Sequence, residues 1–335
     1  MKVLFIGGTG NISSACSRLA LQQGIDLYHM NRGHKSSTLT QQELQHITRL
    51  QADVRDPDSV RDALGNLSFD VVVNWIAFTP EHVRQDINIF GGRVGQYIFI
   101  SSASAYEKPM KSPFITESTP VFNPFWEYSQ NKADAERVLT DAYQQQGFPA
   151  TIVRPSHTYS DGWFPSVFGA HDFTVPQRIL DGRQLVVHGD GTSLWVLTHA
   201  DDFARGFNGL LGHPAAIGES IHITSDELLS WNQIYGTIAA ALGAEAQLVH
   251  MPSRFIADCD PDIGAGLLGD KSYSVIFDNS KIKRLVPGFV ARIPFHEGVR
   301  RSIRYVEQNP SARTISDESN AKIDELLAAW KRAAG

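Results

Sequence analysis

A glycine-rich segment near the start of the chain constrains the fold more than any other feature. The segment is Gly7-Gly8-Thr9-Gly10-Asn11-Ile12-Ser13, and it lies between an apolar run, Val3–Ile6, and a stretch of helical periodicity, Asn11–Gln23. A short run that is apolar throughout is typical of a strand buried on both faces of a parallel sheet. Glycines at the following turn let backbone N–H groups approach a phosphate, and the helix N-terminus adds partial positive charge. The segment therefore predicts a strand, a turn and a helix that bind the pyrophosphate of a dinucleotide.

Further apolar runs of strand length alternate with longer segments along the first half of the chain. These runs are Ile25–Met30, Ile47–Ala52, Val71–Ile76, Gln96–Ile100 and Ala150–Arg154. Repeated units of a strand and a crossover segment are typical of parallel sheets. The pattern predicts an α/β protein with a Rossmann-type doubly wound parallel sheet.

The second half of the chain is less regular, and proline and glycine are frequent at 155–176 and 252–269. This composition predicts a smaller, irregular C-terminal substrate lobe. We expect a dinucleotide-binding Rossmann domain at 1–155 and about 180–210, a substrate-binding lobe at about 156–180 and 211–310, and a C-terminal helix at 311–335. The helix is predicted from apolar residues at helical spacing, namely Ile323, Leu326, Leu327 and Trp330.

The composition is typical of a soluble globular protein. Of 335 residues, 42% are hydrophobic and 20% are charged, which supplies enough apolar surface for a sizeable core. The net charge of −6 disfavours a nucleic-acid partner and a membrane-binding basic face. Two cysteines cannot form a disulfide framework, and the histidines lack metal-ligand spacing, so we expect no metal. Because neither a secretory signal nor a membrane-spanning run is present, we expect a cytoplasmic protein.

The residues after the second predicted strand bear on the choice of cofactor. Asn31 follows Gly7 by 24 positions (31 − 7), close to the spacing of about 20 at which an acidic residue binds the adenosine ribose of NAD. The segment Asn31-Arg32-Gly33-His34-Lys35 contains no carboxylate. Since a guanidinium suits a 2′-phosphate, Arg32 favours NADP over NAD; the alternative is a solvated turn residue. Asp53 and Val54, after the third predicted strand, are the expected adenine contacts.

A tyrosine and a lysine four residues apart form the second informative pattern. Tyr128 and Lys132 open a segment of helical character, so they lie on one helix face, close enough to interact. A phenol has an ordinary pKa of about 10, and a nearby ammonium favours the phenolate, which suits acid/base catalysis near neutral pH. Upstream, a predicted strand ends at Ser101-Ser102, and doubly wound folds bind ligands at the carboxyl ends of their strands.

In this order, the glycine loop, the strand ending in serines and the Tyr-x-x-x-Lys motif resemble the short-chain dehydrogenase/reductase superfamily, in its extended or atypical NAD-dependent epimerase/dehydratase branch. The resemblance covers most of the chain. Other segments similar to that branch are Ile115–Pro120, Arg154-Pro155, Gly189–Gly191, Thr198–Asp202, Gly218–Thr224 and Phe277–Lys281. The resemblance implies that Tyr128 is the acid/base, that Lys132 lowers its pKa and holds the nicotinamide ribose, and that Ser102 hydrogen-bonds the reacting oxygen.

The motifs and the resemblance together imply a set of residues close to the cofactor. The set is Gly7, Gly8, Thr9, Gly10, Asn11, Ile12, Asn31, Arg32, Asp53, Val54, Ala77, Ser101, Tyr128, Lys132, Pro155 and His157. Ala77 is expected beside the ribose and phosphates, while His157 has a structural loop role as its alternative. Three aromatic residues before Tyr128 are expected either to line the substrate pocket or to fill the lobe core, namely Phe122, Phe125 and Trp126.

Two departures from the family pattern narrow the reactions and substrates that we expect. Ser102 is followed by Ala103 and Ser104, where the dehydratases of the family carry an Asp-Glu pair, so dehydration is disfavoured. The nucleotide-sugar enzymes place an arginine four residues after their Gly-Asp-Gly motif, and here that position holds Trp195. Losing a charge-assisted contact to a pyrophosphate costs about 1.5–3 kcal/mol.

Three functions remain open on these grounds. The first is an NAD(P)-dependent epimerase of a sugar or nucleotide sugar, with Tyr128 as the acid/base. The second is an NADP(H)-dependent reductase or dehydrogenase of a small carbonyl or alcohol, favoured by Arg32 and Trp195. The third is a non-catalytic protein that senses nucleotides or binds RNA, because the glycine loop also resembles those of atypical members. The resemblance makes a small-molecule substrate and a homodimer the expected partners.

Overall fold

The computed structural model describes residues 1–33, 38–168 and 171–334. Numbered in chain order, the strands are β1 (Lys2–Ile6), β2 (Asp26–Asn31), β3 (Thr48–Gln51), β4 (Phe69–Asn74), β5 (Val94–Ile100), β6 (Phe114–Ile115), β7 (Ala150–Pro155), β8 (His157–Tyr159), β9 (Gln184–His188), β10 (Leu194–Trp195), β11 (Leu197–His199), β12 (Ser220–Ile223), β13 (Leu229–Ser230), β14 (Gln247–Met251) and β15 (Ile276–Phe277). The α-helices are α1 (Asn11–Gln22), α2 (Gln41–Gln45), α3 (Pro57–Leu64), α4 (Pro80–Phe90), α5 (Glu127–Gln146), α6 (Thr174–Leu180), α7 (Ala200–Asn208), α8 (Trp231–Leu242), α9 (Ser253–Cys259), α10 (Pro261–Gly266), α11 (Ser280–Leu285), α12 (Phe295–Gln308) and α13 (Asp317–Ala334). His34 and Lys35 lie outside the described residues.

Seven of the described strands form one parallel sheet, in the order β12-β7-β5-β4-β1-β2-β3. Val3 of β1 pairs with Leu27 of β2 on one side and with Val71 of β4 on the other. The chain therefore winds outward in both directions from β1 and β4, which opens a crevice at the carboxyl ends of these two strands. The predicted Rossmann-type fold is confirmed, and each predicted strand of the first half lies within two residues of an observed one.

The central strands of this sheet carry continuous apolar runs because helices cover both faces. In β4, Val71 and Val73 pack beneath α1 and α7, while Val72 points to the opposite face, beneath α4 and α5. All three valines are fully buried. A strand with only one covered face would alternate apolar and polar residues, so the continuous run is the signature of the two-sided core.

A smaller lobe is built around the parallel pair β9 and β14, with α8, α12 and α13 packed on it. The predicted boundaries differ from the observed pairings in two places. Gln184–His188, expected in the Rossmann domain, is β9, and its Leu185 and Val187 lie in the core of the lobe. Ser220–Ile223, expected in the lobe, is β12 at the edge of the main sheet, where its isoleucines are buried under α7.

The C-terminal helix α13 packs on the lobe through the predicted stripe. Ile323 and Leu326 are buried, and Leu327 and Trp330 pack against the same core. Its first two turns contribute Ser319 and Lys322 to the lining of a central cavity. Among the described residues, we find no helix whose length and hydropathy would let it cross a bilayer.

Candidate active site

The glycine loop between β1 and α1 is packed too tightly for larger residues. Gly7 has a φ of +85°, and a Cβ there would lie 2.6 Å from the Ile76 side chain. A Cβ on Gly8 would lie 2.4 Å from the ring of His29. Ser13, at the third glycine position of the motif, accepts a hydrogen bond from the Gly10 amide at 2.8 Å and donates one to the Gly7 carbonyl at 3.2 Å. Ser13, at a position where the motif has glycine, thus holds the loop in place through these two hydrogen bonds.

A cavity of about 880 Å³ runs from this loop to the smaller lobe. Ten of the predicted site residues line it: Gly7, Gly10, Asn11, Ile12, Ser101, Ser102, Tyr128, Lys132, Pro155 and His157. The predicted residues that do not line it are Gly8 and Thr9 within the loop, Ala77 beneath it, and Asn31, Arg32, Asp53 and Val54 at the ends of β2 and β3.

Two observations at this end of the cavity fit a bound dinucleotide. The N-cap residue of α1, Gly10, has no side chain to accept hydrogen bonds from the N–H groups of the first turn, and residues 10–13 line the cavity. Within the described residues, the Ser101 hydroxyl and the Trp75 indole N–H are buried without a hydrogen-bond partner, and both side chains line the cavity. Buried polar atoms of this kind normally have partners, so the residues present suit a polar ligand such as a dinucleotide.

The loops after β2 and β3 carry the residues expected at the adenosine. The Asn31 side chain accepts a 2.9 Å hydrogen bond from the Gly33 amide, and Asp53 accepts one of 3.0 Å from the Arg55 amide. Arg55 was not predicted, although it follows Asp53 and Val54 directly. Its guanidinium donates a 2.5 Å hydrogen bond to the Ile76 carbonyl, and it lies near enough to Arg32 for their charges to interact.

Lys132 lies on α5 and reaches across to the ends of two strand segments. Its ammonium donates hydrogen bonds to the carbonyls of Ala77, at 2.6 Å, and Ile100, at 2.7 Å. Ala77 is fully buried, so it contributes this carbonyl to the site rather than a side chain lining the cavity. Burial lowers the pKa of Lys132 to about 7, although the nearby Glu136 carboxylate opposes the shift.

Tyr128 departs from the expected electrostatics. Burial raises the pKa of its phenol above the ordinary value; the Ser102 side chain opposes that shift by hydrogen bonding, and the charge of Asp270 adds to it. The ammonium of Lys132 lies 5.8 Å from the centre of the Tyr128 ring. The predicted lowering of the pKa is therefore wrong for this structure, because desolvation of the phenolate exceeds the stabilisation it receives.

A chain of serine hydroxyls supports Ser102. The Ser129 hydroxyl donates to that of Ser104 at 2.7 Å, and the Ser104 and Ser102 hydroxyls are 2.8 Å apart. Neither Ser104 nor Ser129 was predicted as a site residue. Their signals were weak: Ser104 is the third serine of one loop, and Ser129 directly follows Tyr128.

The lobe end of the cavity is aromatic and contains buried nitrogens. His157 and His171 lie beside Trp163, whose ring centre is 5.2 Å and 3.7 Å from theirs. Within the described residues, three buried ring nitrogens at this end of the cavity have no hydrogen-bond partner: His157 Nε2, His171 Nδ1 and Trp195 Nε1. Burial lowers the pKa of His157 well below its ordinary value and that of His171 to about 4, so both rings are neutral at pH 7.

The position expected to hold the pyrophosphate arginine does face the cavity, and Trp195 occupies it. Three other arginines of the second half of the chain are engaged elsewhere. Arg178 and Arg183 pair with Asp324, and Arg254 pairs with Asp258 on the surface. Among the described residues that line the cavity, none is an arginine.

The three aromatic residues before Tyr128 separate into two groups. Trp126 lines the cavity, with its ring centre 5.0 Å from that of Tyr128. Phe122 and Phe125 are exposed and do not belong to its lining. Within the described residues, we find no group of three or more metal-ligating side chains arranged to hold an ion.

Comparison with known families identifies the one to which this chain belongs. The model of the NAD dependent epimerase/dehydratase family matches residues 3–224, which include the glycine loop, Ser102, Tyr128 and Lys132. The chain belongs to this family. Membership confirms the family resemblance and the expectation of an enzyme of the short-chain dehydrogenase/reductase superfamily, and the family's description names NAD as the cofactor.

Curated relatives within this family have diverse names. The chain is 27% identical over 266 residues to the chloroplast stem-loop binding protein of 41 kDa b from Arabidopsis thaliana, covering 76% of this chain and 67% of that protein. It is 30% identical over 174 residues to a UDP-glucose 4-epimerase from Lactobacillus helveticus, covering 46% of this chain and 51% of the relative. It is 23% identical over 258 residues to a trifunctional UDP-glucose 4,6-dehydratase/UDP-4-keto-6-deoxy-D-glucose 3,5-epimerase/UDP-4-keto-L-rhamnose-reductase of A. thaliana, and this chain spans 34% of that protein's length.

Solved structures of family members share the fold over nearly the whole chain. A dTDP-glucose 4,6-dehydratase from Bacillus anthracis in complex with NAD superposes with a TM-score of 0.73 at 18% identity, covering 93% of this chain and 98% of that one. A UDP-glucuronic acid 4-epimerase from Bacillus cereus in complex with NAD gives a TM-score of 0.72 at 19% identity, with the same coverage.

Proposed function

We propose that the protein is an NAD(P)-dependent epimerase that acts on a sugar or nucleotide sugar through transient hydride transfer, with Tyr128 as the acid/base. One observation carries the proposal: the side chains of Ser102, Tyr128 and Lys132 line the same cavity as the first turn of α1. The named functions of the UDP-glucose and UDP-glucuronic acid 4-epimerases support the same class of reaction.

When bound, the nicotinamide ring of the cofactor takes up and returns a hydride. The chain supplies the proton transfer. Burial disfavours the phenolate of Tyr128 in the empty site, and the hydrogen bond from Ser102 favours it. In the phenolate form, Tyr128 takes the proton of the substrate hydroxyl and later returns it to the same oxygen. Ser102, whose hydroxyl is held by Ser104, hydrogen-bonds that oxygen throughout. Lys132 holds the nicotinamide ribose while two backbone carbonyls fix its ammonium.

For the cofactor, we propose a preference for NADP over NAD. Arg32 and the unpredicted Arg55 both lie at the end of the site where the adenosine ribose is expected, and the segment 31–33 contains no carboxylate. A guanidinium pairs well with a phosphate monoester, whereas the hydroxyls of NAD offer it no charge.

A second function has one specific observation in its favour. Trp195 occupies the arginine position, and among the described residues no arginine lines the cavity. The cavity therefore offers no guanidinium to the pyrophosphate of a nucleotide sugar, whereas the small carbonyl substrate of a net reductase needs no such anion site. The two functions differ in the fate of the cofactor. An epimerase returns the hydride to its substrate and retains the dinucleotide, whereas a reductase exchanges it at every turnover.

The deciding experiment is to purify the protein without added nucleotide, denature it and identify any released dinucleotide by mass spectrometry. Near-stoichiometric dinucleotide supports the epimerase. An empty protein that binds NADPH more tightly than NADH supports the reductase. A protein that binds neither dinucleotide contradicts both functions and favours a non-catalytic role.

A further inference from the structure

A single turn, Leu267–Lys271, carries two charged side chains into the substrate end of the cavity. The turn is π-helical, a rare conformation that is frequent at functional sites. Asn123 fixes it by donating hydrogen bonds to the Gly269 carbonyl at 2.6 Å and to the Ser104 carbonyl at 2.8 Å. A Cβ on Gly269 would lie 2.8 Å from Trp126. The turn is therefore held against the catalytic serine loop, and its Asp270 and Lys271 line the cavity.

Lys271 is the cavity-lining cation without a protein partner. Within the described residues, its ammonium makes no hydrogen bond or ion pair, and it lies 5.3 Å from the centre of the Trp126 ring. The other two lysines of the lining are engaged. Lys132 donates to two carbonyls, and Lys322 pairs with Glu318 at 3.1 Å and Asp260 at 3.7 Å.

The charges in this corner do not balance. The Asp270 carboxylate also lacks a hydrogen bond or ion pair among the described residues, while Lys108 is buried with its ammonium 3.3 Å from the Met110 sulfur. Burial raises the pKa of Asp270, and the nearby charges of Lys271 and Lys108 oppose that shift. Burial lowers the pKa of Lys108 and of Lys271, so each ammonium is favoured by a nearby negative charge. When all three groups are ionised, two ammonium groups and one carboxylate leave one positive charge at this wall of the cavity, which a ligand with one negative charge would balance.

The surrounding groups indicate what else the ligand carries. The three unpartnered ring nitrogens of His157, His171 and Trp195, together with the Asp270 carboxylate, offer donors and acceptors for several hydroxyl groups. The rings of Trp126 and Trp163 offer flat apolar walls.

We propose that Lys271 binds the carboxylate of a small hydroxylated acid of the sugar-acid class, and that this acid, rather than a nucleotide sugar, is the substrate. The inference rests on the proposed function, because it assigns the substrate of the same cavity. A diphosphate brings two negative charges to a corner with one in excess, and Trp195 gives it no guanidinium.

The test measures binding by calorimetry in the presence of saturating dinucleotide. The probes are three acids, D-glucuronate, D-galacturonate and D-gluconate, with their neutral counterparts D-glucose and D-galactose, and with glucose 6-phosphate and UDP-glucose. We expect at least one acid to bind at least tenfold more tightly than its neutral counterpart, the phosphate and UDP-glucose. Lys271→Met should weaken that binding about 10- to 100-fold, and Lys271→Arg should largely restore it.

Lys322→Met is the matched control, since it removes a cavity-lining lysine whose charge is already paired; acid binding should be unchanged. Circular dichroism confirms that each variant folds. The proposal is overturned if no acid binds, if neutral sugars or UDP-glucose bind as tightly as the acids, or if Lys271→Met binds the acid like the wild type.

A Tyr128→Phe arm separates this proposal from the proposed function. The variant should bind the acid but not turn it over. If the wild type turns over a neutral sugar or UDP-glucose and Tyr128→Phe does not, the proposed function stands and the assignment of Lys271 fails. If the acid binds through Lys271 but Tyr128→Phe remains fully active, the assignment stands and the proposed function fails.

Discussion

The ammonium of Lys132 donates a 2.7 Å hydrogen bond to the carbonyl oxygen of Ile100, the last residue of β5. This contact ties α5 to the strand that leads into the serine loop. A second hydrogen bond, to the Ala77 carbonyl, ties the same ammonium to the loop after β4. The lysine thus links three segments of the site, and it does so as a buried charge whose pKa is lowered to about 7.

The buried ammonium of Lys132 predicts how stability changes with pH. Its pKa is about 7 in the folded chain and about 10.5 in the unfolded chain, so unfolding takes up a proton between these values. Stability should therefore rise with pH in this window, by up to about 1.4 kcal/mol per pH unit from this group. The free energy of unfolding, measured with urea at pH 7, 8 and 9, should rise with a smaller slope against pH in Lys132→Met than in the wild type. Lys111→Met, at an exposed lysine, should keep the wild-type slope; equal slopes in all three proteins would contradict the assignment.

The phenol of Tyr128 predicts a second, substrate-free measurement. Burial holds its pKa above the ordinary value of about 10, and the Ser102 side chain opposes that shift. The difference in ultraviolet absorbance between the wild type and Tyr128→Phe reports the ionisation of this phenol alone. We expect it to ionise above pH 10, and at still higher pH in Ser102→Ala, which loses the hydrogen bond to the phenolate. Ionisation below pH 10 in the apoprotein would refute the arrangement described.

Most of the fold was predictable because its signals are local. Val71, Val72 and Val73 form a continuous apolar run since helices cover both faces of β4, and such a run needs no knowledge of its neighbours to be recognised. The two strands β9 and β12 were each assigned to the wrong lobe from the sequence. Both are short apolar strands, and their sequences do not show which sheet buries them.

In the site, too, the residues with local sequence signals could be predicted and the others could not. The glycine loop and the Tyr128–Lys132 pair are short motifs on single elements, so their place in the cavity could be predicted. Lys271 and His171 lie far apart in the sequence, and only the folding of the smaller lobe brings both to one cavity wall. The pKa of Tyr128 could not be predicted from its spacing to Lys132, because desolvation depends on everything packed around the ring.

Arg32 and Arg55 predict the choice of dinucleotide. If both guanidinium groups face the 2′-phosphate, Arg32→Ala and Arg55→Ala should each weaken NADPH binding by about 10-fold or more, since a charge-assisted contact is lost. NADH binding should change little. Fluorescence titration of both reduced dinucleotides measures the ratio of affinities directly. Arg61→Ala, at an exposed arginine paired with Asp58, is the control; an unchanged ratio in both test variants would show that neither arginine reads the phosphate.

Glu136 and Arg154 predict the largest loss of stability in the Rossmann domain. Their buried side chains form an ion pair with contacts of 2.5 and 2.9 Å, which joins α5 to β7 one helical turn after Lys132. Glu136→Gln leaves a buried guanidinium without its countercharge, so the free energy of unfolding should fall by about 3–5 kcal/mol. Asp134→Asn, which breaks an exposed pair with Arg137 on the same helix, should cost about 1 kcal/mol or less. Urea unfolding at pH 7 distinguishes the two variants, and equal losses would mean that the buried pair is solvated. Replacing both partners, in Glu136→Leu with Arg154→Met, should recover part of the loss because no buried charge remains.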